Sequence, residues 1–333
     1  MRKQLFTLLV GAMLLSTTST KAQIIDLVND WTTTALPLGP TGTGFMDYTD
    51  DSCMFGFTTS PESSGVGILD TNGVPVTYPD LTVLDLTSEV QAVQVVDNHT
   101  YVSFFDEADA IFGLIRMDID TYGIAQVETA IPALYEEFTY VNCLNNNLVE
   151  ETVIFVYMKA KNTSTGKWTS LLLKHTYNKI TNEFSEGQFI EINMPGKDTY
   201  PSKLLNFEFT DIVITSYFDG GNTDILVTRI DENGEILYKK TISGYPGKDD
   251  LPIDLVKDNS NNVFCIAQSE DNVGANNHIA VIKINPNTGK AVWTKRVGEA
   301  TPGSETVVCA SDNTLGGGLA FAGNVTDGAA GRN

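Results

Sequence analysis

Ala280 to Val297 reads AVIKINPNTGKAVWTKRV, and it shows the plan on which the rest of the chain is built. Ala280, Ile282 and Ile284 alternate with Val281 and Lys283, which is the period of an extended strand whose two faces differ. Asn285 to Gly289 then supplies a turn, because proline fixes its own φ and glycine accepts a positive one. Apolar residues resume at Ala291. The segment therefore predicts a β-hairpin.

The same plan recurs four times upstream. Thr223 to Ile242 is the clearest copy, with the turn Asp-Glu-Asn-Gly and with Tyr238 where the first segment has Trp293. Looser copies lie at Val66 to Val76, Gly113 to Val127 and Leu171 to Ile190. The turn positions Gly73, Gly123, Asn182, Gly234 and Gly289 are separated by 50, 59, 52 and 55 residues. A repeat of that length leaves room for two more strands beside each hairpin.

Two such strands precede each of the two clearest hairpins. They are Leu204 to Phe207 with Ile212 to Tyr217, and Ile253 to Lys257 with Val263 to Ala267. A four-stranded unit that recurs at this spacing is typical of a β-propeller blade, whose sheet buries both faces only when neighbouring blades stack on it. The sequence therefore predicts an all-β protein, a β-propeller of four-stranded blades.

About six blades are predicted. The first five span Leu36 to Val83, Leu84 to Pro132, Ala133 to Met194, Pro195 to Ser243 and Gly244 to Gly298. The sixth begins with Thr306 to Ala310 and Leu319 to Gly323 and lacks its outer hairpin.

The incomplete sixth blade has two explanations. In one, Ile24 to Val28 and Thr32 to Leu36 complete it, which removes the exposed edges of an open ring. In the other, the sequence is truncated at its C-terminus and belongs to a longer protein. The second is favoured, because neither terminal piece carries the Asp-x-Asn-Gly hairpin of the first and fourth blades.

The first 22 residues have the pattern of a secretory signal peptide. Basic Arg2 and Lys3 precede an apolar run from Leu5 to Leu15, and small polar residues follow up to Ala22. The apolar run is shorter than the roughly 20 residues of a transmembrane helix. We therefore expect cleavage before Gln23, a propeller domain over residues 23–333, no membrane insertion after cleavage, and an extracellular, cell-surface or periplasmic location.

The net charge of the chain limits the classes of partner that it is expected to bind. The formal net charge is −21, and it becomes −24 without the signal segment, which carries Arg2, Lys3 and Lys21 and no acid. Nucleic acids and anionic lipids are bound through lysine and arginine, so neither is an expected partner. The simpler role of such an acidic surface is solubility, and the more specific role is Ca²⁺ binding.

Cysteines and histidines give no sign of a metal site. Cys53, Cys143, Cys265 and Cys309 form no Cys-x-x-Cys and no adjacent pair, and His99, His175 and His278 are scattered over three blades. Buried thiols are the simpler interpretation of cysteines inside apolar runs. Export permits disulfides, and Cys265 with Cys309 is then the candidate pair, because inner strands of successive blades face each other.

Two resemblances follow from the repeats. Thr223 to Gly244, with Asp254 to Gln268 after it, resembles the bacterial secreted β-propeller repeat abbreviated SBBP. Asn285 to Trp293 resembles the Thr-Gly-x-x-x-Trp docking motif of quinoprotein-like, or PQQ-like, propellers, in which the tryptophan packs between adjacent blades. The second resemblance implies a wedge role for Trp293.

Neither resemblance implies catalysis. Quinoprotein dehydrogenases need a redox cofactor, a Ca²⁺ ion and often a vicinal disulfide, and this chain has no adjacent cysteines. Ser311-Asp312-Asn313 lacks the aromatic residue of a sialidase Asp-box. Adjacent carboxylates such as Glu136 and Glu137 do not provide the separation of two acids across a sugar that glycosidases need. No cofactor is therefore predicted, with Ca²⁺ left open.

The sequence thus favours a secreted or cell-surface, non-catalytic module that binds or scaffolds a glycan, peptide or protein. The alternative is a propeller enzyme, quinoprotein-like or glycan-cleaving, whose active site the sequence does not reveal. Ligands are expected at the loops after the second and fourth strands of each blade. The candidate binding residues there are Asp106, Glu107, Asp109, Tyr200, Phe218, Asp219, Asp224, Tyr245, Asp249 and Asp250.

Overall fold

The computed structural model describes residues 46–48, 52–60, 63–70, 89–96, 99–106, 109–118, 124–207, 211–219, 222–244, 247–270, 277–297, 303–313 and 318–327. The predicted signal segment, the expected cleavage site and the two N-terminal strands lie outside these ranges, as do Glu107 and Tyr245. No helix of membrane-spanning length and hydrophobicity occurs within the described ranges. The chain divides into two compact units, Met1–Ile131 and Pro132–Asn333, which are taken in turn.

The described residues of the first unit form two antiparallel sheets. Its strands are β1 (Met46–Tyr48), β2 (Ser52–Ser60), β3 (Ser63–Asp70), β4 (Glu89–Val96), β5 (His99–Asp106), β6 (Ile111–Asp118) and β7 (Ile124–Ala130). The first sheet has the order β1-β2-β3, and the second has the order β4-β5-β6-β7. Both are meanders in which each strand pairs with the next one along the chain.

In the second unit, the part of the chain that the structure describes forms four sheets. Its strands are β8 (Tyr135–Asn147), β9 (Glu151–Asn162), β10 (Lys167–Asn178), β11 (Glu183–Phe184), β12 (Gln188–Ile192), β13 (Thr199–Phe207), β14 (Asp211–Asp219), β15 (Thr223–Ile230), β16 (Ile236–Ile242), β17 (Asp250–Lys257), β18 (Val263–Glu270), β19 (Asn277–Ile284), β20 (Ala291–Val297), β21 (Gly303–Asn313) and β22 (Gly318–Asp327). In chain order, the third sheet runs from β8 to β12, the fourth from β13 to β16, the fifth from β17 to β20, and the sixth holds β21 and β22.

Each set of described strands falls inside the blade bounds expected from the sequence. The fourth sheet lies within Pro195 to Ser243 and the fifth within Gly244 to Gly298, both as four-stranded meanders. The third sheet differs slightly, because its outer edge is divided into β11 and β12, which both pair with β10. The predicted all-β architecture of sequential four-stranded blades, the fold class of a β-propeller, is confirmed.

Burial explains why the sheets need their neighbours. Middle strands such as β9 and β15 are buried along nearly their whole length, whereas the outer strands β16 and β20 are mostly exposed. On the fourth sheet, Ile214 and Leu226 join a core shared with the third sheet. Val213 and Ile225, on the opposite face, join a core shared with the fifth. A sheet covered on both faces in this way is stable only within a stack.

The predicted hairpin turns are confirmed where the structure describes them. Gly234 and Gly289 have φ values of 89° and 70°, and Asn182 has a φ value of 60°. In the fourth sheet, Asp231 Oδ1 accepts hydrogen bonds from the backbone N–H groups of Asn233 and Glu235 at 3.0 and 2.8 Å. The aspartate therefore caps its own turn. The corresponding turns of the first two blades lie outside the described residues.

The aromatic residues of the two clearest hairpins differ in what they contact. Trp293 packs with Phe264 of its own sheet at a ring separation of 5.9 Å, in a cluster that also contacts Leu319 of the sixth sheet. Tyr238 reaches the next sheet directly, since its hydroxyl donates to the carbonyl of Pro286 at 2.8 Å. Both residues therefore pack where consecutive sheets meet.

Of the predicted disulfide pair Cys265 and Cys309, only the Cys265 side chain is described, and it is a free thiol. Cys265 is a buried thiol in the core between the fourth and fifth sheets. Its neighbours Phe264 and Ile266 point to the opposite face, which is the one that contacts the sixth sheet. Cys309 lies on β21 of that sixth sheet. Because side chains alternate along a strand, Cys265 faces away from the strand that carries Cys309.

Candidate functional site

Up-and-down connectivity places alternate connections of the second unit at one end of its sheets, here called the loop end. Its described residues are 163–166, 193–198, 222, 243–244 and 247–249, in connections that follow the second or fourth strand of the third and fourth sheets. Of the candidate ligand residues, Tyr200, Phe218, Asp219, Asp224, Tyr245, Asp249 and Asp250 were predicted on or near such connections of the second unit. Three groups of side chains can be described there: a carboxylate network, an aromatic row and a cleft.

The carboxylate network is centred on Asp250 at the start of β17. Asp250 is fully buried, and its Oδ2 accepts hydrogen bonds from Ser243 Oγ at 2.6 Å and from the Gly244 N–H at 2.8 Å. Its Oδ1 accepts a third, from Ser269 Oγ, at 2.5 Å. A buried carboxylate is stable when such donors replace its hydration. Asp250 therefore ties the end of the fourth sheet to the fifth and is not exposed for a ligand.

Two further predicted acids lie beside this network. Asp249 is exposed, and its Oδ1 accepts a hydrogen bond from the Thr223 N–H at 2.6 Å. Burial raises the pKa of Asp224, and the negative charges of Asp250 and Asp249 raise it further. The structure thus brings three of the predicted acids together. Within the described residues, no group of three or more His, Cys, Asp or Glu side chains has the arrangement of a metal site.

The same network contains a serine, a histidine and an aspartate in register. Asp250 lies opposite Ser269, and Ser269 lies opposite His278. A nucleophilic serine needs its proton accepted by histidine, but the Ser269 hydroxyl donates to Asp250, while Arg296 contacts Nε2 of His278. The hydrogen-bond connectivity is that of a packed polar network and does not activate Ser269.

Other predicted residues have structural positions. Phe218 is buried in the core between the third and fourth sheets, where its ring packs on protein side chains. Asp219 ends β14 opposite Thr223. In the first unit, Asp106 is buried, and its Oδ1 accepts a hydrogen bond at 3.2 Å from the N–H of the exposed Asp109. Glu107 and Tyr245 lie outside the described residues.

Tyr200 belongs to a row of aromatic and basic side chains. Its ring stacks on that of Tyr217, its cross-strand partner, at 5.1 Å. The Lys159 ammonium lies 5.5 Å from the Tyr200 ring centre and 3.6 Å from that of Trp168. Both lysine distances are within the range of attractive cation–π contacts. Lys159 therefore links Trp168 of the third sheet to Tyr200 of the fourth, and Tyr200 has its ring packed on protein side chains.

Trp168 also forms one wall of a cleft of about 140 Å³. The segment between the third and fourth sheets also lines the cleft, including Met194 and Lys197. Lys159 contacts the indole ring of Trp168, and Asp198 Oδ1 accepts a hydrogen bond from the Trp168 backbone N–H at 2.9 Å. Asp198 Oδ2 also pairs with the Lys167 ammonium at 3.3 Å, which compensates one of the lysine charges beside the cleft.

Polar groups converge on the same cleft. Asn162 Oδ1 accepts the N–H groups of Ser164 and Thr165 at 3.0 and 3.1 Å, which fixes the amide so that its Nδ2 points at Glu191 Oε1, 3.5 Å away. The contact between Asn162 and Glu191 is longer than an ordinary N–H···O hydrogen bond and is therefore weak. Burial raises the pKa of the Tyr135 phenol, and the Glu191 charge raises it further.

Thr169 adds a buried hydroxyl to the cleft lining. The residue is 2% exposed, and its Oγ1 has no hydrogen-bond partner among the described residues. An unsatisfied buried hydroxyl is unusual in a native protein and calls for an explanation. The same cleft is lined by Asn162, Glu191 and Trp168, so an amide, a carboxylate and an aromatic residue border one concave space, as in many small-ligand sites.

Sequence reasoning missed the cleft, although one signal was present. Asn162-Thr-Ser-Thr-Gly166 repeats the Asn-x-x-Thr-Gly pattern of Asn285 to Gly289, and a tryptophan follows each turn. The two turns also share a hydrogen bond from the glycine N–H to the asparagine carbonyl, 2.8 Å long in both. The pattern could have marked Trp168. It could not have indicated Glu191, which reaches the cleft through the pairing of β12 with β10.

Comparisons with known proteins bear on the fold. No protein-family model matches the chain, and no curated protein matches its sequence. Among solved structures, the WD40 β-propeller domain of Doa1 is 10% identical with a TM-score of 0.44, over 86% of this chain and 79% of that one. A putative 6-phosphogluconolactonase from Bacteroides uniformis is 12% identical with a TM-score of 0.43, over 76% and 73%.

An apocarotenoid oxygenase mutant from Synechocystis is 9% identical with a TM-score of 0.47, over 78% of this chain and 62% of that one. The chain thus spans less than two thirds of the oxygenase. These similar proteins include a WD40 domain and enzymes, at similarities too low to argue for either function. The site has to be interpreted from its own geometry.

Proposed function

We propose that the chain is an exported, non-catalytic β-propeller of the SBBP type, and that it binds a glycan, peptide or protein ligand in the cleft beside Trp168. The observation that carries the proposal is the cleft itself, a concave space of about 140 Å³ at the loop end that is lined by Trp168, Asn162 and Glu191. Concave sites with a few convergent polar groups are the usual ligand sites of proteins.

A binding role fits the polar network better than a catalytic one. Asp250 accepts three hydrogen bonds, and the Ser269 hydroxyl is committed to Asp250. Turnover would require a base or nucleophile with geometry directed at a substrate. In the cleft, Glu191 stands beside an amide, which suits recognition of hydroxyl or amide groups.

Nuclear magnetic resonance of the tryptophan indoles tests the binding role. The chain has three tryptophans, Trp31, Trp168 and Trp293, and a Trp168→Phe variant assigns the signal of interest. The ¹⁵N-labelled protein is titrated with a panel of oligosaccharides and blocked peptides. We expect at least one component to shift the Trp168 signal and leave the Trp293 signal in place. Conversion of that component into a product would contradict the non-catalytic role.

Export is a separate part of the proposal and needs its own measurement. Its support is the pattern of residues 1–22, a basic start, an apolar run and a small-residue end. When the full chain is expressed in a bacterium with a periplasm, N-terminal sequencing of the exported protein should begin at Gln23. Retention in the cytoplasm with Met1 intact would remove the signal-peptide assignment.

A further inference from the structure

The outer strands of the fourth and fifth sheets carry a basic surface, although the chain as a whole is acidic. This surface, here called the basic edge, consists of Lys239 and Lys240 on β16, Lys290 just before β20, and Lys295 and Arg296 on β20. We propose that the basic edge binds an acidic segment of a partner protein in an extended conformation. The inference goes beyond the proposed function, because it concerns a surface other than the Trp168 cleft.

Positive charge is concentrated at the basic edge in a chain where acids predominate. Acidic residues outnumber lysine and arginine by 42 to 21. Residues 236–248 nevertheless hold three lysines and no acid, and residues 272–298 hold three lysines, one arginine and no acid. The outer edge of the third sheet is the opposite, since residues 180–196 hold three glutamates and no lysine or arginine. The field near the basic edge therefore attracts an anionic partner, although the net charge of the chain is negative.

Two of these cations border one groove from opposite sides. Lys240 lies opposite Val227 on β15. Arg296 lies opposite Ala280 on β19. Directly opposed residues of neighbouring strands project from the same face of a sheet. Val227 and Ala280 belong to the core between the fourth and fifth sheets. Lys240 and Arg296 therefore both face the space between these two sheets, and an extended chain lying at its rim would meet positive charge on both sides.

Contacts at the turn before β20 fix the two outer strands relative to each other. The Pro286 carbonyl accepts hydrogen bonds from the Tyr238 hydroxyl at 2.8 Å and from Arg229 Nη1 at 3.3 Å. An ideal Cβ atom on Gly289 would lie 2.9 Å from Cγ of Lys240, so the Lys240 stem packs against the same turn. A surface that is formed before its partner arrives reduces the entropic cost of binding.

The lysine charges of the basic edge are available to a partner. Lys240, Lys290 and Lys295 are exposed, and among the described residues no carboxylate lies within ion-pair distance of them. Lys295 lies 5.2 Å from the ring centre of Trp293, and its ammonium keeps donors for a partner. One exposed ion pair contributes little to affinity, but several that act together give a measurable effect.

Strands β16 and β20 also have an open backbone edge. Each is the last strand of its sheet, and among the described strands β16 pairs with β15 alone and β20 with β19 alone. The outward N–H and C=O groups of such a strand can pair with another extended chain. Leu237 and Val292 are 51% and 56% exposed on these strands and offer apolar contacts beside the lysines. This combination favours a peptide over a nucleic acid or an anionic polysaccharide, because neither of those can extend a β-sheet.

Lysines at a sheet edge also have a protective role, because they repel the edges of other copies of the chain. That role is compatible with the proposed one. Lys240 and Lys295 would repel a second basic edge and attract an acidic strand, so the same charges select the partner. A second copy could instead offer the acidic outer edge of its third sheet, and a measurement of self-association distinguishes that occupant from a partner peptide.

Short synthetic peptides test the proposal on the mature chain. The probe is a blocked, fluorescently labelled peptide in which glutamate and valine alternate, and its analogue carries glutamine in place of glutamate. Fluorescence anisotropy at low salt should give the glutamate peptide a dissociation constant of about 0.1–1 mM, which should rise at least about fivefold in about 0.3 M salt. The glutamine peptide should bind at least about fivefold more weakly, because it forms no ion pairs. In the ¹⁵N-labelled chain, the glutamate peptide should shift the Trp293 indole signal and leave the Trp168 signal in place.

Variants that remove or keep charge locate the contact. Lys240→Gln combined with Lys295→Gln should weaken binding of the glutamate peptide about fivefold to tenfold. Lys240→Arg combined with Lys295→Arg should bind within about twofold of the parent, because arginine keeps the positive charge. Lys174→Gln combined with Lys257→Gln removes two charges from β10 and β17, outside the basic edge, and is the matched control that should bind as the parent does. Circular dichroism confirms folding, and the comparison of peptides on the unaltered chain does not depend on any variant.

Each other result contradicts the proposal in its own way. Equal binding of the glutamate and glutamine peptides would remove the role of charge. A shift of the Trp168 signal in place of the Trp293 signal would move the peptide to the cleft, so this inference would fail and the proposed function would stand. If the glutamate peptide does not bind, the inference also fails: binding of heparin would then indicate an anionic polysaccharide, and salt-sensitive dimers in sedimentation would indicate a second copy. Neither of these results bears on a ligand in the Trp168 cleft.

Discussion

Gly289 and Tyr238, which belong to consecutive sheets, are so close that a methyl group on the glycine would collide with the tyrosine ring. An ideal Cβ atom at Gly289 lies 2.4 Å from Cε2 of Tyr238. The Tyr238 hydroxyl donates to Pro286 in the same turn, and Gly289 itself has a φ of 70°. Glycine is therefore required here both for the left-handed backbone and for the close approach of two sheets.

Replacement of Gly289 by valine should lower the free energy of unfolding by about 3 kcal/mol, because a β-branched residue resists positive φ and its methyl groups overlap Tyr238. Urea denaturation followed by circular dichroism measures the change. A melting temperature equal to that of the parent would refute the hairpin and, with it, the repeat derived from that hairpin.

Alanine at matched glycines separates the two causes. Gly166 occupies the same kind of turn with a φ of 66°, and a Cβ atom there meets no neighbour within 4 Å. Gly166→Ala should lower the free energy of unfolding by about 1 kcal/mol, the cost of a left-handed backbone alone. Gly289→Ala should lower it clearly more, because its Cβ also overlaps Tyr238. Gly234→Ala should fall between them, since its Cβ meets Ile190 Cδ1 at 2.8 Å, the end of a flexible side chain. Equal costs at all three positions would mean that contact between the sheets contributes nothing.

Asp250→Ala should destabilise the protein by about 3 kcal/mol, because it leaves the donors on Ser243, Gly244 and Ser269 without their buried acceptor. Thermal and urea unfolding measure the loss. Asp249→Ala is the control: this exposed carboxylate accepts only the Thr223 N–H among the hydrogen bonds shown, and about 1 kcal/mol is expected. The prediction fails if the two neighbours cost the same.

Asp224→Asn should make the protein slightly more stable at neutral pH and leave it unchanged in acid. The folded-state pKa of Asp224 is raised, by burial first and then by Asp250 and Asp249, above the ordinary value of 3.8. The folded state therefore binds the proton more tightly, and the ionised form reduces stability as pH rises through and above that value.

The gain from Asp224→Asn should be a few tenths of a kcal/mol, since the group is largely solvated, and it should shrink in high salt. Urea midpoints between pH 3 and pH 7 follow the effect. A variant whose advantage grows toward acid would show that the sign is wrong.

Lys159→Met should change the environment of the Trp168 indole, because it removes the ammonium 3.6 Å from the ring centre. The indole signal of Trp168 should shift, with a loss of about 0.5–1 kcal/mol in stability. Lys159→Arg should restore much of the parent signal, since a guanidinium also stacks on indole. Lys295→Met offers a reciprocal control, because Lys295 lies 5.2 Å from the Trp293 ring centre: it should move the Trp293 signal and spare that of Trp168.

Local sequence was sufficient for the strands, turns and repeat. The alternation in Ala280 to Ile284 depends only on the period of an extended chain, and Gly234 and Gly289 are required by the φ of their own turns. For that reason the bounds of the fourth and fifth sheets follow from the sequence to within a few residues. Asp249 and Asp224 were likewise predicted, from connectivity alone, to lie at the loops after the second and fourth strands.

Only the tertiary structure decided which partner each face meets. Period-2 alternation shows that Cys265 and Phe264 point to opposite sides of their strand. It does not show that the fourth sheet covers the side of Cys265, or that the sixth sheet contacts the side of Phe264. Phe218 is a core residue for the same reason. The cleft brings Trp168 together with Glu191 and Lys197, which are separated along the chain and joined by strand pairing and the connection that follows. Such convergence depends on packing between distant segments, which no local pattern of residues encodes.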